Sequence, residues 1–521
     1  MALVRSIATV GGYTLLSRIL GFVRDVLVAA FLGAGPLADA FLVAFRLPNL
    51  FRAFSAEGAF SAAFVPLLAR VVATEGRLAA IQFAEETLAV LIAALGLFVL
   101  AVEWAMPWVI AVIAPGFSAE PSQMANALLF ARITFPYLLT ITLVAFLGSI
   151  LNALGRFAAM ASAPNLFNLS QIAALFVIVP FVPTVAHALS YGVAIAGILQ
   201  FLHLAYANHR EGVHLRLVAP RLTPRVRQTL TLMAPATIGA GVTQLSLVVS
   251  TVLATLLPGG SVAYLYYADR VAQLPLGVVG YAVGTALLPL LTRQLAREPE
   301  LANGTQNRAL EVAALATLPA AAGLVALAWP IIHVLFEHRA FGPTDTLLTA
   351  EALVAYALGL PAFVLIKVLN PGYLARHDTA TPVKIAAVSI AVNIAANLAL
   401  MAALQPVGLG HVGIALGTSL ASWLNAALLW AGLARRKQFQ LDERARSRLP
   451  RLLVASIGMG AIVWAAQRCA EPWLTPSGLM SVAALGGLIL VGAAAFAGLA
   501  LATRAAGLAE VQGYLRRSPA G

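Results

Sequence analysis

Stretch after stretch of this sequence runs for about 18 apolar residues or more between charges, the length of helix that crosses the hydrocarbon of a bilayer. Fourteen such spans can be traced, at residues 6–32, 36–69, 82–113, 124–153, 162–183, 185–208, 226–257, 262–292, 308–336, 346–374, 383–404, 411–434, 450–470 and 477–503. Hydrophobic residues make up 61% of the chain and charged residues 10%, against roughly 25% charged in an ordinary soluble domain. No soluble core could absorb that much apolar surface. The expected fold class is therefore an all-α polytopic membrane protein with fourteen transmembrane helices.

The opening residues, Met1 to Arg5, lead straight into a span too long for the apolar region of a signal peptide. The single cysteine, Cys469, excludes an intrachain disulfide and a cysteine-based metal site. No HExxH, Walker or GxSxG pattern occurs, and the eight histidines are scattered. No metal, cofactor or catalytic residue is expected, and the chain does not read as an enzyme.

Loop charge sets the orientation. With a cytoplasmic N-terminus, 24 of the 33 Lys and Arg fall in cytoplasmic segments, and only Arg339 and Arg468 fall on the other side. That bias places both termini in the cytoplasm. The net charge of +12 is then mainly topology, not a nucleic-acid footprint.

Seven basic residues remain inside spans: Arg18, Arg24, Arg46, Arg52, Arg132, Arg270 and Lys367. Arg132 and Arg46 can be read as side chains reaching for headgroups or for a disturbed helix before Pro48. The other five lie deep in their spans, where a charge costs about 2.5–3.5 kcal/mol even on a lenient scale. They are expected to face a shared aqueous interior. At about 100° per residue, Arg18 and Asp25 share a helix face and Arg24 lies a quarter-turn away. Intramembrane acids are fewer: Asp25, Asp39, Glu57, Glu103 and Asp269. Asp25 follows Arg24 and Asp269 precedes Arg270, which allows local charge compensation in a structural ion pair, while adjacent helical residues do not face each other, so each Arg is also free to point elsewhere. A net-positive embedded cavity wants an anion, and the planar guanidinium fork suits the oxygens of a diphosphate.

Two parts of the chain echo one another. "AAFVPLLAR" (62–70) recurs as "ALLPLLTR" (286–293), and "FPYLL…LNALGR…APNLFN" recurs as "LPAFVL…GYLAR…TPVKIA". The offset is six spans, as in parallel repeats. The expected organisation is a six-helix half at 1–208, a cytoplasmic linker at 209–225, a second half at 226–436, and two added helices with a tail at 437–521. Pro48, Pro136, Pro275 and Pro361 are expected to interrupt helices and offer bends for two halves rocking about a central cavity.

The stretches "SRILGFVRDVLVAAFLGAGPLADAFLVAFRLPNLFRAFSAEGAFSAAFVPLL" (17–68), "YADRVAQLPLGVVGYAVGTALLPLL" (267–291) and "KVLNPGYLARHDTATPVKIA" (367–386) closely resemble the bacterial MurJ (MviN) family, within the multidrug/oligosaccharidyl-lipid/polysaccharide exporter superfamily. The resemblance runs through essentially the whole chain. It implies a carrier of lipid II, the undecaprenyl-diphosphate-linked peptidoglycan precursor, working by alternating access in the bacterial inner membrane. It implies substrate-binding roles for Arg18, Arg24, Arg52 and Arg270, and gate or ion-pair roles for Asp25, Asp39, Asp269 and Lys367. It also implies lipid II and membrane lipids as partners, with cell-wall synthesis proteins alongside, and a lipid-tail groove in the last two spans. Two departures stand out: Gln273 replaces an acid common after "ADR", and the seventh span has no acid for a sodium site.

Other readings fit less well. Cationic drug antiport would want an acidic cavity, and an integral-membrane enzyme acting on polyprenyl phosphates would want clustered acids for a divalent metal. An exporter of another lipid-linked oligosaccharide satisfies the same charges and stays as the alternative.

Overall fold

The structure, a computed structural model, describes the backbone of residues 2–55, 59–475 and 478–505, with side chains except at 2–8, 53–55, 59, 62, 234–243, 245, 278–283 and 285. Among the described residues every regular element is a helix. They gather into two compact units, one up to Ala263 together with His338–Phe341, the other from Tyr264 to Glu337 and from Gly342 onward.

The first unit holds α1 (Ala2–Leu32), α2 (Pro36–Ser55), α3 (Ala59–Glu75), α4 (Arg77–Ile113), α5 (Pro121–Thr134), α6 (Tyr137–Ala153), α7 (Ala158–Val177), α8 (Val185–Arg210) and α9 (Pro224–Thr255). Its core is aromatic: Phe60, Phe64, Phe83 and Phe146 are buried together, with Phe64 5.3 Å from both Phe83 and Phe146. Alpha-helix α1 ends at Gly33, whose φ of +72° suits glycine, and a Cβ there would lie 2.6 Å from the carbonyl oxygen of Ala340. The second unit holds α10 (Ser261–Arg297) from Tyr264 on, α11 (Pro299–Ala326), α12 (Ala328–Phe336), α13 (Pro343–Leu374), α14 (Ala380–Leu404), α15 (Gly410–Arg435), α16 (Glu443–Leu474) and α17 (Leu479–Ala502).

Nine helical stretches among the described residues are long and apolar enough to cross a membrane. Helices α1 and α2 are not among them; α1 carries Arg18, Arg24 and Asp25, and α2 carries Asp39, Arg46 and Arg52. Each of the fourteen spans read from the sequence falls on one helix or on two consecutive ones. The span at 124–153 is divided into α5 and α6 at Phe135–Pro136, and that at 308–336 into α11 and α12 at Leu327.

The expected proline breaks need correction. Pro136 does separate two helices, but Pro48, Pro275 and Pro361 lie inside the continuous helices α2, α10 and α13. A proline removes one backbone hydrogen bond, and packing by neighbouring helices lets a membrane helix carry that loss.

Within the second unit, α16 is joined to α11 by charge as well as by apolar packing. Glu311 of α11, 5% exposed, receives Arg448 at 2.8 Å, has Arg444 at 3.4 Å and pairs with Arg308. Asp442 caps α16 by accepting the Ala445 N–H at 2.7 Å, and it also pairs with Arg308. Above this junction α16 and α17 share an apolar core with Leu327 and Val334 around Met459, Val463, Leu485 and Leu488.

Candidate functional site

Arg24, one of the basic residues inside an apolar span, is held by α1 and α7. Arg24 turns back onto its neighbour Asp25: its Nε and one terminal nitrogen donate to Oδ1 at 3.1 and 2.7 Å. The local charge compensation that this adjacency offers is realised here. The guanidinium stem is long enough to fold along the helix, so the pair forms. The other terminal nitrogen donates to Asn168 Oδ1 at 3.0 Å, and the guanidinium lies 5.5 Å from the Phe167 ring centroid. Asn168 Nδ2 in turn donates to the Ser17 carbonyl at 3.0 Å. That carbonyl only accepts, so the amide cannot be turned the other way. Arg24 and Asp25 side chains are 12% and 7% exposed, so this is a charge held largely within protein.

Phe167 is itself fixed. It stacks on Phe45 at 5.9 Å and meets Tyr137 at 5.6 Å, while Tyr137 donates to Gln200 at 3.2 Å. Helices α2, α6 and α8 thereby brace the α7 residues that hold Arg24.

The remaining candidates of the first unit are dispersed. Arg18 is exposed on α1. Arg52, half-buried in the last turn of α2, donates to Asn49 Oδ1 at 3.2 Å. Arg46 donates to Thr251 of α9, which replaces the headgroup contact considered for it. Asp39 is 2% exposed and accepts the N–H groups of Gly260 and Ala263 at 2.7 and 2.8 Å. Its carboxylate thus caps the first turn of α10 from another helix, where the helix dipole favours an anion. Arg132 is exposed on α5, and Glu57 lies outside the described residues.

In the second unit Asp269 and Arg270 sit side by side on α10. Asp269 accepts from Gln273, one turn on, and Arg270 lies 4.9 Å from the ring of Tyr266, one turn back. Gln273, the departure from the family pattern, is thus a neutral donor to Asp269. Lys367 is exposed on α13.

A search for charges passes over Asn168 and Phe167, although "APNLFN" marks them as part of a recurring block. The available signal was a run of amides, Asn165, Asn168 and Gln171, in an apolar helix. An amide buried there needs a partner. Glu311 was passed over as well, since its place at the start of a span made it resemble a loop charge.

Comparison with known proteins supplies the class. The family model described as lipid II flippase MurJ matches residues 28–484. This chain belongs to the MurJ family. A probable lipid II flippase MurJ from Rhizobium meliloti (strain 1021) is 42% identical over 99% of this chain and 97% of its own length. A solved structure of a lipid II flippase MurJ in an inward closed conformation is 26% identical, covers 95% of this chain and 98% of that one, and gives a TM-score of 0.77. An inward-facing multidrug transporter of the MATE family is 14% identical with a TM-score of 0.67, which is a likeness of fold. The chain is a multi-pass membrane protein of a transporter family.

Proposed function

We propose that this chain moves lipid II across the bacterial inner membrane by alternating access, with Arg18, Arg24, Arg52 and Arg270 receiving the diphosphate. The observation that carries the reading is the preformed Arg24 centre, together with the close likeness to flippases of that substrate. A guanidinium fixed by Asp25, Asn168 and Phe167 has lost its rotamer freedom before any guest arrives, so less entropy is lost on binding. Asp25 occupies one edge of the fork in the way a phosphate oxygen would. We infer that the diphosphate either displaces it or binds beside it, so the carboxylate serves as a stand-in that keeps an inward-lying cation paired when substrate is absent.

The domain reading follows the repeats. Residues 1–208 and 226–436 are the two six-helix halves, 209–225 joins them, and 437–521 is an addition suited to the lipid tail. Both termini lie in the cytoplasm, in keeping with the 24 to 2 distribution of basic residues. Asp39 acts at the first turn of α10, where releasing its two backbone hydrogen bonds would free that helix end. Asp269 and Lys367 adjust the charge around Arg270. Enzymes of cell-wall synthesis supply lipid II and consume it. The reaction itself needs no covalent step.

The test is lipid II binding and growth complementation, in cells depleted of their own flippase, for Arg24→Ala, Arg24→Lys, Arg270→Ala and Arg270→Lys at matched expression. Loss with Ala and partial retention with Lys supports the cationic site. Binding of undecaprenyl-diphosphate oligosaccharides in preference to lipid II would favour an exporter of a different lipid-linked sugar.

A further inference from the structure

The connection between α8 and α9 is not a loose loop. Both its ends are built into the first unit: Val213 and Val226 are buried in the aromatic core and Leu215 packs against it. Polar contacts pin the same ends. The Glu211 carbonyl takes Arg77, the Arg216 N–H donates to Glu85 at 2.8 Å, the Thr223 hydroxyl donates to Glu86 at 2.9 Å, and Arg225 pairs with Glu75 at 2.6 Å.

Those anchor points fix the height of the segment. Glu85 and Glu86 are the last charges of α4 before the apolar run that begins at Thr87, so they mark the edge of the hydrocarbon. Residues 216–222 therefore run beside the first turns of α4 at headgroup level. There the chain "RLVAPRL" exposes Leu217 at 75% and Leu222 at 70%, with Val218 also exposed. Arg216 and Arg221 flank these residues, and among the described residues neither guanidinium takes an ion pair or hydrogen bond. Pro220 keeps the backbone extended. Exposed leucines would be a liability in water. At headgroup level, beside unpaired arginines, they fit one occupant: an anionic lipid surface.

We propose that residues 215–222 are an interfacial anchor, with Leu217, Val218 and Leu222 at the acyl-chain boundary and Arg216 and Arg221 on lipid phosphates. The anchor holds the link between the two repeats flat on the membrane instead of free in solution. It is independent of what the chain transports.

The test uses the full chain with Cys469→Ser and single labelled cysteines at 214, 217 or 222. The protein is reconstituted in phosphatidylcholine vesicles with and without phosphatidylglycerol. The anchor predicts that labels at 217 and 222 are blue-shifted, quenched by lipid-borne quenchers and shielded from aqueous iodide, with the label at 214 open to iodide. In anionic vesicles Arg216→Gln or Arg221→Gln should lower the immersed-to-exposed ratio about fivefold each, the worth of one basic residue at such a surface. Equal iodide access at all three positions in both lipids would overturn it. So would shielding of 217 and 222 that arises only when membrane proteins are added back, which would assign the segment to a protein partner.

Discussion

Among the described residues, two buried ionic centres of opposite sign, at Arg24 and at Glu311, are built differently. At Arg24 a single cation deep in α1 is met by one carboxylate, one amide and one aromatic face. At Glu311, midway along α11, a buried anion is met by Arg308 of the same helix and by Arg444 and Arg448 from the first turns of α16, with Asp442 sharing Arg308. The second arrangement surrounds a buried carboxylate with guanidinium groups and fastens α16 to α11. The first holds its charge with mostly neutral partners inside an apolar span, where fastening helices could be done more cheaply by leucine. Arg24 is held in one orientation inside its span by Asp25, Asn168 and Phe167, which suits the proposed role of receiving an anionic guest.

Breaking the Glu311 centre should give the largest stability effect. Glu311→Ala leaves three arginines around an empty position, and removing one partner of a buried ionic group typically costs about 3–5 kcal/mol. A lower thermal midpoint in detergent and loss of folded yield are expected; Arg24→Ala, which leaves one counter-charge where Glu311→Ala leaves three, should shift the midpoint less. Equal destabilisation by both would erase the contrast.

Asn168 sharpens it. Asn168→Ala removes one charge-assisted hydrogen bond, worth about 1.5–3 kcal/mol, and frees the guanidinium to rotate. Lipid II binding should weaken by about tenfold or more, and growth complementation should fall with it. Asn168→Asp adds a second carboxylate beside Arg24 and should impair binding further, despite preserving shape. A structural amide alone would show loss of stability without this added penalty from the acid.

The smallest effect lies at the surface of the second unit. Between α13 and α14, Asp378 accepts the Thr381 N–H at 2.9 Å and Arg436 at 2.6 Å. The Thr381 N–H foremost, then Arg436 and the Thr381 hydroxyl, hold its pKa at about 2, below the usual 3.8. Because the folded value is depressed, the contribution is complete above pH about 4 and disappears as pH falls through about 2. Asp378→Asn should flatten the acid limb of the thermal-midpoint profile over that window and leave it unchanged at neutral pH.

Much of this was legible in the sequence because bilayer physics leaves few choices. Long apolar runs demand helices, and loop charge and buried arginines could be counted directly. Pairing was less legible. In "VRD" an Arg24–Asp25 pair and an Arg24 pointing elsewhere are both open readings, and helical spacing does not decide between them. The partner Asn168 lies 144 residues away on α7, a distance that periodicity cannot bridge. Asp39 read as a gate or ion pair, yet its partners are backbone N–H groups of α10, which have no signature in side-chain chemistry. The prolines misled for the opposite reason: a local rule for helix breaking was applied where neighbouring helices compensate.

The most direct measurement is lipid II translocation into the outer leaflet of reconstituted vesicles by the native chain, Arg24→Ala and Arg24→Lys, each first checked for an unchanged thermal midpoint. A site built to hold the diphosphate predicts no translocation above background for the Ala variant and a reduced but measurable rate for Lys. Translocation by a folded Arg24→Ala protein at the native rate would contradict it, and would make the Arg24 centre a second helix fastening.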